Sequence, residues 1–151
     1  MIALSNKKLK AIISGPVTKP RPDELLQESL GGDPWKVAVA SMLLCRTRRR
    51  QAETALQKLL FRWPGPEYLC RADIVDVQSV VRSCGFYANR ARQLIRFSSL
   101  YLGDAWEDLR DLPGVSLYVA DAVGLVCFGC SELESTDAAL CARSSQIGVS
   151  L

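Results

Sequence analysis

Apolar positions along this chain recur mostly at helical spacing, and no stretch alternates apolar and polar residues between turn signals as a strand would. Trp35, Val37, Ala38, Val39, Ala40, Met42, Leu43 and Leu44 cover nearly every side of a helix, so a helix over 35–44 belongs in the middle of a domain. Asp33-Pro34 supplies its cap and first turn. Ala52, Ala55, Leu56, Leu59 and Leu60 form a one-sided stripe, which predicts an amphipathic helix over 50–62 ended by Pro64-Gly65-Pro66. Short helices are predicted over 67–72 and 73–84, the second with Ile74, Val77 and Val81 on one side. Gly85 separates them from a longer helix over 87–102, with Ala91, Leu94, Ile95, Ser98 and Tyr101 facing in. Ahead of these, residues 23–30 read as a helical segment stopped by Gly31-Gly32. Residues 1–22 read as a basic, partly flexible lead closed by Pro16, Pro20 and Pro22. The expected fold is all-α.

The stretch from Leu112 to Ala122 is the most informative. Residues 108–112 can form a short helical turn, which Pro113-Gly114 stops, because proline cannot continue a helix and glycine tolerates the positive φ of a tight reversal. Ser116 is a reasonable N-cap for a second helix. Two helices joined by such a hairpin direct free amides at whatever approaches the loop, and these suit one phosphate. Asp137 follows nineteen residues after Tyr118. An aspartate there can cap a helix starting at Ala138, and it can also present a carboxylate to a ligand.

The chain has 151 residues, enough for one compact domain or one domain in two lobes, and 48% of them are apolar. No apolar run reaches the roughly eighteen residues of a membrane span, and the start lacks the layout of a secretion signal. An intracellular protein is expected, nuclear in a eukaryote, with no membrane partner. Its six cysteines then read as thiols rather than a disulfide framework. Net charge is only +3, but Arg46, Arg48, Arg49 and Arg50 crowd one turn, and Arg90, Arg92 and Arg96 follow one helix. Such clusters are either solvated faces or, beside a phosphate-binding hairpin, a surface for a polyanion. The chain contains no histidine, so histidine-based zinc or general-base chemistry is excluded. Cys127, Cys130 and Cys141 give three thiols, one short of a closed metal site, so neither metal nor cofactor is expected.

Taken in order, Leu25-Leu26-Gln27-Glu28, Asp33-Pro34-Trp35-Lys36, Leu43-Leu44-Cys45-Arg46-Thr47, Gly85-Phe86-Tyr87, Arg90-Ala91, Ile95-Arg96-Phe97-Ser98, the hairpin and Asp137 resemble the helix-hairpin-helix (HhH-GPD) DNA glycosylases of the endonuclease III superfamily. Within it they are most like the glycosylase domain of the methyl-CpG-binding thymine glycosylases. The resemblance covers residues 21–143. It implies a two-lobed helical fold over 23–151, truncated at its C-terminus, and a monomer acting on double-stranded DNA that carries a mismatched or damaged base.

The resemblance also implies roles. Asp137 would offset the positive charge that grows on the sugar as the base leaves. Tyr118 would line the base pocket where strand-cutting members carry a lysine, which points to the monofunctional branch; a core tyrosine on an apolar helix is the plain alternative. Gln27 would meet the edge of a thymine or uracil with its amide, unless it is a solvent-exposed helical glutamine. Arg46, with Leu44 beside it, would fill the space left by the flipped nucleotide. Cys84 and Phe86 would press against the unpaired base of the other strand, while Gly114 and Ser116 would grip a phosphate. Any of the apolar residues among these also fits a plain core.

Four features depart from the family pattern. Ser116 stands at the hairpin's second glycine. The segment before Asp137 is one residue short. Ser131 replaces a tryptophan, and residues 144–151 no longer resemble the closing helix. The expected activity is removal of thymine or uracil opposite guanine. A non-catalytic helix-hairpin-helix DNA-binding module is the alternative.

Overall fold

The computed structural model describes residues 2–149. All regular structure among them is helical, apart from one isolated bridge between Ser5 and Asp108. The α-helices are α1 (Asn6–Lys10), α2 (Pro34–Leu44), α3 (Arg49–Arg62), α4 (Pro66–Leu69), α5 (Ile74–Val81), α6 (Tyr87–Leu102), α7 (Leu117–Phe128) and α8 (Ala138–Val149). Short 3-10 turns occupy Leu26–Ser29, Arg82–Cys84 and Leu109–Asp111. The all-α expectation holds.

Helix α2 is central because its sequence gives it no polar face. Every residue from Pro34 to Met42 except Lys36 is buried, together with Leu43. It packs against α3, α6 and α7. Helices α3 to α6 form one group around Leu56, Leu59, Val77, Leu94 and Phe97, while α7 gathers the 26–29 turn and α8. Asp33 caps α2 by accepting from the Lys36 amide, and proline takes the first-turn position, where its missing N–H costs nothing. Inside, the Trp35 indole donates to the Ser98 hydroxyl at 3.0 Å, so neither buried polar group is left unpaired.

Two segments differ from their sequence reading. Residues 23–30 form only the 3-10 turn at Leu26–Ser29. The lead is also less loose than its composition suggests. Leu4 and Leu9 are fully buried, the Leu4 amide donates to Asp108 Oδ2 at 3.1 Å, and the Leu109 amide donates to the Leu4 carbonyl at 2.9 Å. Further on, the Gly15 amide donates to the Gly31 carbonyl at 2.7 Å and that of Thr18 to the Ser29 carbonyl at 2.8 Å. Two well-spaced leucines in a basic segment make no periodic stripe, yet they suffice to dock it. Past Arg143, where resemblance ends, α8 continues to Val149; residues 150 and 151 lie outside the described part.

Candidate active site

A cavity of about 490 Å³ opens where the 26–29 turn, the end of α2, the start of α7 and the start of α8 meet. Its lining includes Gln27, Leu44, Cys45, Arg46, Tyr118 and Asp137. Residues separated by up to 110 positions in sequence are thus brought to one place, and five of them are residues singled out in the sequence.

The Gln27 side chain is buried, so it is not a solvent-exposed helical glutamine. Its Nε2 donates to the Tyr118 hydroxyl at 2.9 Å and to Ser41 Oγ at 3.3 Å, and Ser41 Oγ in turn donates to the Val37 carbonyl. Tyr118 lies in the first turn of α7, half-buried, packed against the core and also lining the cavity. Burial pushes its phenol up to about 12, the Gln27 hydrogen bond opposes that shift, and the nearby Asp137 carboxylate adds to it. The phenol therefore stays protonated at neutral pH and keeps its hydrogen to donate.

Asp137 does two things at once. Its Oδ2 accepts from the Leu140 amide at 3.0 Å, which caps α8, while the carboxylate stands in the cavity wall. The loop that delivers it is held by a residue given no role in the sequence reading. Asp121, buried on α7, accepts from the Glu134 amide at 3.1 and 3.0 Å and from the Ser135 amide at 2.6 Å. The available signal was an acid inside the apolar run Val119 to Leu125: a charge there must be satisfied by something.

The hairpin forms as expected. Gly114 has φ 84°, and a Cβ built on it would stand 2.7 Å from the Gln93 side chain, so both conformation and space favour glycine. Ser116, at φ −80°, needs no glycine; its hydroxyl accepts from the Val119 amide at 3.3 Å and caps α7. The amides of Leu117 and Tyr118, which a helix's first turn cannot use, remain at that end. Cys45 ties this hairpin to the cavity. Burial pushes its thiol up, the Arg90 guanidinium and Ser116 hydroxyl oppose the shift, and the Asp137 carboxylate adds to it.

Arg46 is exposed on the cavity rim, with Leu44 half-buried beside it. Phe86 is 69% exposed, but Cys84 is buried with its sulfur toward the Gln51 carbonyl, so of this pair only Phe86 is presented to a ligand. Not all of the arginines face outward either. Arg49 donates to the Arg21 and Glu24 carbonyls, and Arg90 donates to four groups of the 42–47 segment and to the Gly85 carbonyl. Arg46, Arg48, Arg50, Arg92 and Arg96 stay exposed. Among the described residues no group of three or more cysteine or acidic side chains is arranged to hold a metal, and no helix is long and apolar enough to cross a membrane.

A family model described as HhH-GPD superfamily base excision DNA repair protein matches residues 39–142. The chain is 35% identical over 107 residues to a thymine-DNA glycosylase of Aeropyrum pernix, covering 66% of this chain and 48% of that protein. It is 30% identical over 108 residues to a methyl-CpG-binding domain protein 4-like protein of Arabidopsis thaliana, covering 72% and 24%. The chain thus spans about half of one relative and a quarter of the other. The solved structure of a thermostable thymine-DNA glycosylase superposes with a TM-score of 0.64 at 21% identity, over 72% of this chain and 52% of that one; the likeness there is one of fold.

Proposed function

The chain belongs to the HhH-GPD superfamily of base excision DNA repair proteins, and from that premise we propose that it is a monofunctional DNA glycosylase that hydrolyses the N-glycosidic bond of thymine or uracil paired with guanine. The observation that carries this reading is the convergence of Gln27, Tyr118 and Asp137 on one cavity between the hairpin and the Arg46 loop.

A base inside a duplex cannot be reached, so it must be turned out of the stack, and a mispaired base costs least to extrude. Arg46 on the rim is suited to fill the gap left behind, with Phe86 at the opposite strand. The hairpin amides take a phosphate and position the backbone. Within the cavity, Gln27 Nε2 is spent on Tyr118 and Ser41, which leaves its carbonyl oxygen as an acceptor. The protonated Tyr118 hydroxyl is a donor beside it. An acceptor next to a donor complements the N3–H and neighbouring carbonyl of uracil or thymine. As the bond between C1′ and the base breaks, the sugar becomes cationic, and the Asp137 carboxylate stabilises that charge in a partly desolvated place. Water then bonds to C1′, its proton is released, and the departing base is protonated.

The test is single-turnover incubation with a duplex carrying one G·T or G·U pair, followed by alkali to reveal abasic sites. Asp137→Asn is a clean variant because asparagine caps a helix as well as aspartate does. It should reduce base release by roughly a hundredfold or more while duplex binding persists. A near-normal rate in Asp137→Asn would remove this residue from the chemistry. Mismatch binding by the natural chain without any base release would instead make it the non-catalytic DNA-binding module.

A further inference from the structure

Among the described residues only two that are not glycine have φ in the left-handed region, Arg46 at 57° and Phe86 at 46°. Residues with side chains avoid that region unless their surroundings hold them there. They lie on different loops, forty positions apart, and both side chains are exposed.

The peptide carbonyl immediately before each of them meets the same guanidinium. Arg90 Nη2 donates to the Cys45 carbonyl, and Arg90 Nε donates to the Gly85 carbonyl at 3.0 Å. The remaining contacts tighten the link. Arg90 Nη1 donates to the Met42 carbonyl at 2.6 Å, and Nη2 reaches Thr47 Oγ1 at 3.1 Å. Thr47 Oγ1 in turn donates to the Cys84 carbonyl at 3.1 Å. The Met42 and Leu43 carbonyls near the end of α2 meet Arg90 Nη1, and a cation at a helix C-terminus is favoured by the helix dipole as well. Fixing a peptide's carbonyl direction fixes the ψ before it and the φ after it, which are the torsions that aim Arg46 and Phe86.

We infer that Arg90 is a positioning residue that sets both left-handed turns and locks the Arg46 and Phe86 tips to each other, so that they engage the two strands of a mismatched duplex as one rigid unit. The inference rests on the glycosylase reading for what the tips touch. It needs only the geometry above for their coupling.

The experiment measures the affinity of the full chain for three DNAs: a duplex with one G·U pair, the same duplex fully paired, and a single strand containing uracil. Arg46→Ala, Phe86→Ala and the double variant are compared in the natural and Arg90→Lys backgrounds. Lysine keeps the charge but cannot span both carbonyls in the guanidinium's fixed fork. Arg90→Lys should weaken G·U duplex binding about tenfold and leave the other two DNAs within about threefold. In the natural background the two alanine changes should be non-additive; in Arg90→Lys their effects should simply multiply. Equal losses on all three DNAs, or unchanged coupling in Arg90→Lys, would overturn the inference. If Arg90→Lys does not fold, Thr47→Val removes only the hydroxyl link and must shift mismatch affinity and coupling in the same direction. Absence of base release from any DNA by the natural chain defeats the glycosylase reading alone, because the coupling is read from binding.

Discussion

At the scale of single residues, the site depends on groups that hold others in place. Asp121 never lines the cavity, yet its carboxylate takes two consecutive amides just ahead of Asp137. Asp121→Asn keeps the shape but turns one oxygen into a donor facing an N–H. On the proposed function, base release should fall by about tenfold or more while mismatch affinity moves little, since the loop carries the carboxylate proposed to react and not the proposed DNA grip. A parallel fall in affinity would show that the loop does something else. Asp121→Ala leaves both amides without an acceptor and should cost about 3 kcal/mol in denaturant unfolding. Tyr118 gives a pH prediction. Its phenol is raised from the ordinary 10 to about 12, mainly by burial, so the fold favours its neutral form. That contribution is complete below pH 10 and is lost as pH rises through about 12. Base release measured up to about pH 10 should therefore show no inflection that Tyr118→Phe abolishes. Such an inflection would mean the tyrosine is more exposed than its place in the cavity implies.

At the scale of elements, legibility followed the strength of the pattern. Helices α2 and α6 begin and end within a residue of their sequence-based bounds, because an all-apolar run and a long stripe leave no competing conformation. The 26–29 turn was harder: it is held by Gln27 reaching Tyr118 and Arg143 reaching Glu28, contacts 91 and 115 positions away that no local pattern shows. The docking of α1 was not legible, since five residues make too little periodicity to count. It carries a stability prediction all the same. Leu9 is fully buried and α1 is tied to the segment before the hairpin through Asp108. Burial pushes the Asp108 carboxyl up, but the amides of Arg110 and Leu4 and the Arg110 guanidinium together hold it below its ordinary value. Leu9→Ala should cost about 2–5 kcal/mol of unfolding free energy, as cavity-forming changes in a core do. A loss under about 0.5 kcal/mol, typical of surface sites, would mean that the lead is not part of the folded unit.

At the scale of the molecule, the cavity was legible as a set of residues and not as a mechanism of assembly. Gln27, Leu44, Arg46, Tyr118 and Asp137 were each visible in the sequence as site residues, while Asp121 and Arg90, which hold the loops bearing Asp137 and Arg46, were not, although Arg90-Ala91 stands among the family landmarks. Apart from the Thr47 hydroxyl, their partners are backbone groups, and a backbone amide or carbonyl has no letter in a sequence. The placement of lysines relative to the cavity leads to the last prediction. Strand cleavage by imine chemistry needs an uncharged amine at the sugar, and a phenol cannot form an imine. No lysine lines the cavity that holds Tyr118 and Asp137. Lys10 is engaged with the Leu102 and Gly103 carbonyls and Asp104, Lys8 lies over the Phe128 ring, and Lys36 and Lys19 border a separate apolar groove. Product DNA should therefore contain intact abasic sites until alkali is added, and borohydride present during turnover should trap no protein–DNA adduct. Tyr118→Lys places an amine where the phenol stands and, with Asp137 in position, should give trapped adduct at a low level. Adduct formed by the natural chain, with strand breaks keeping pace with base release, would defeat the monofunctional reading and require an amine that moves into the cavity when DNA binds.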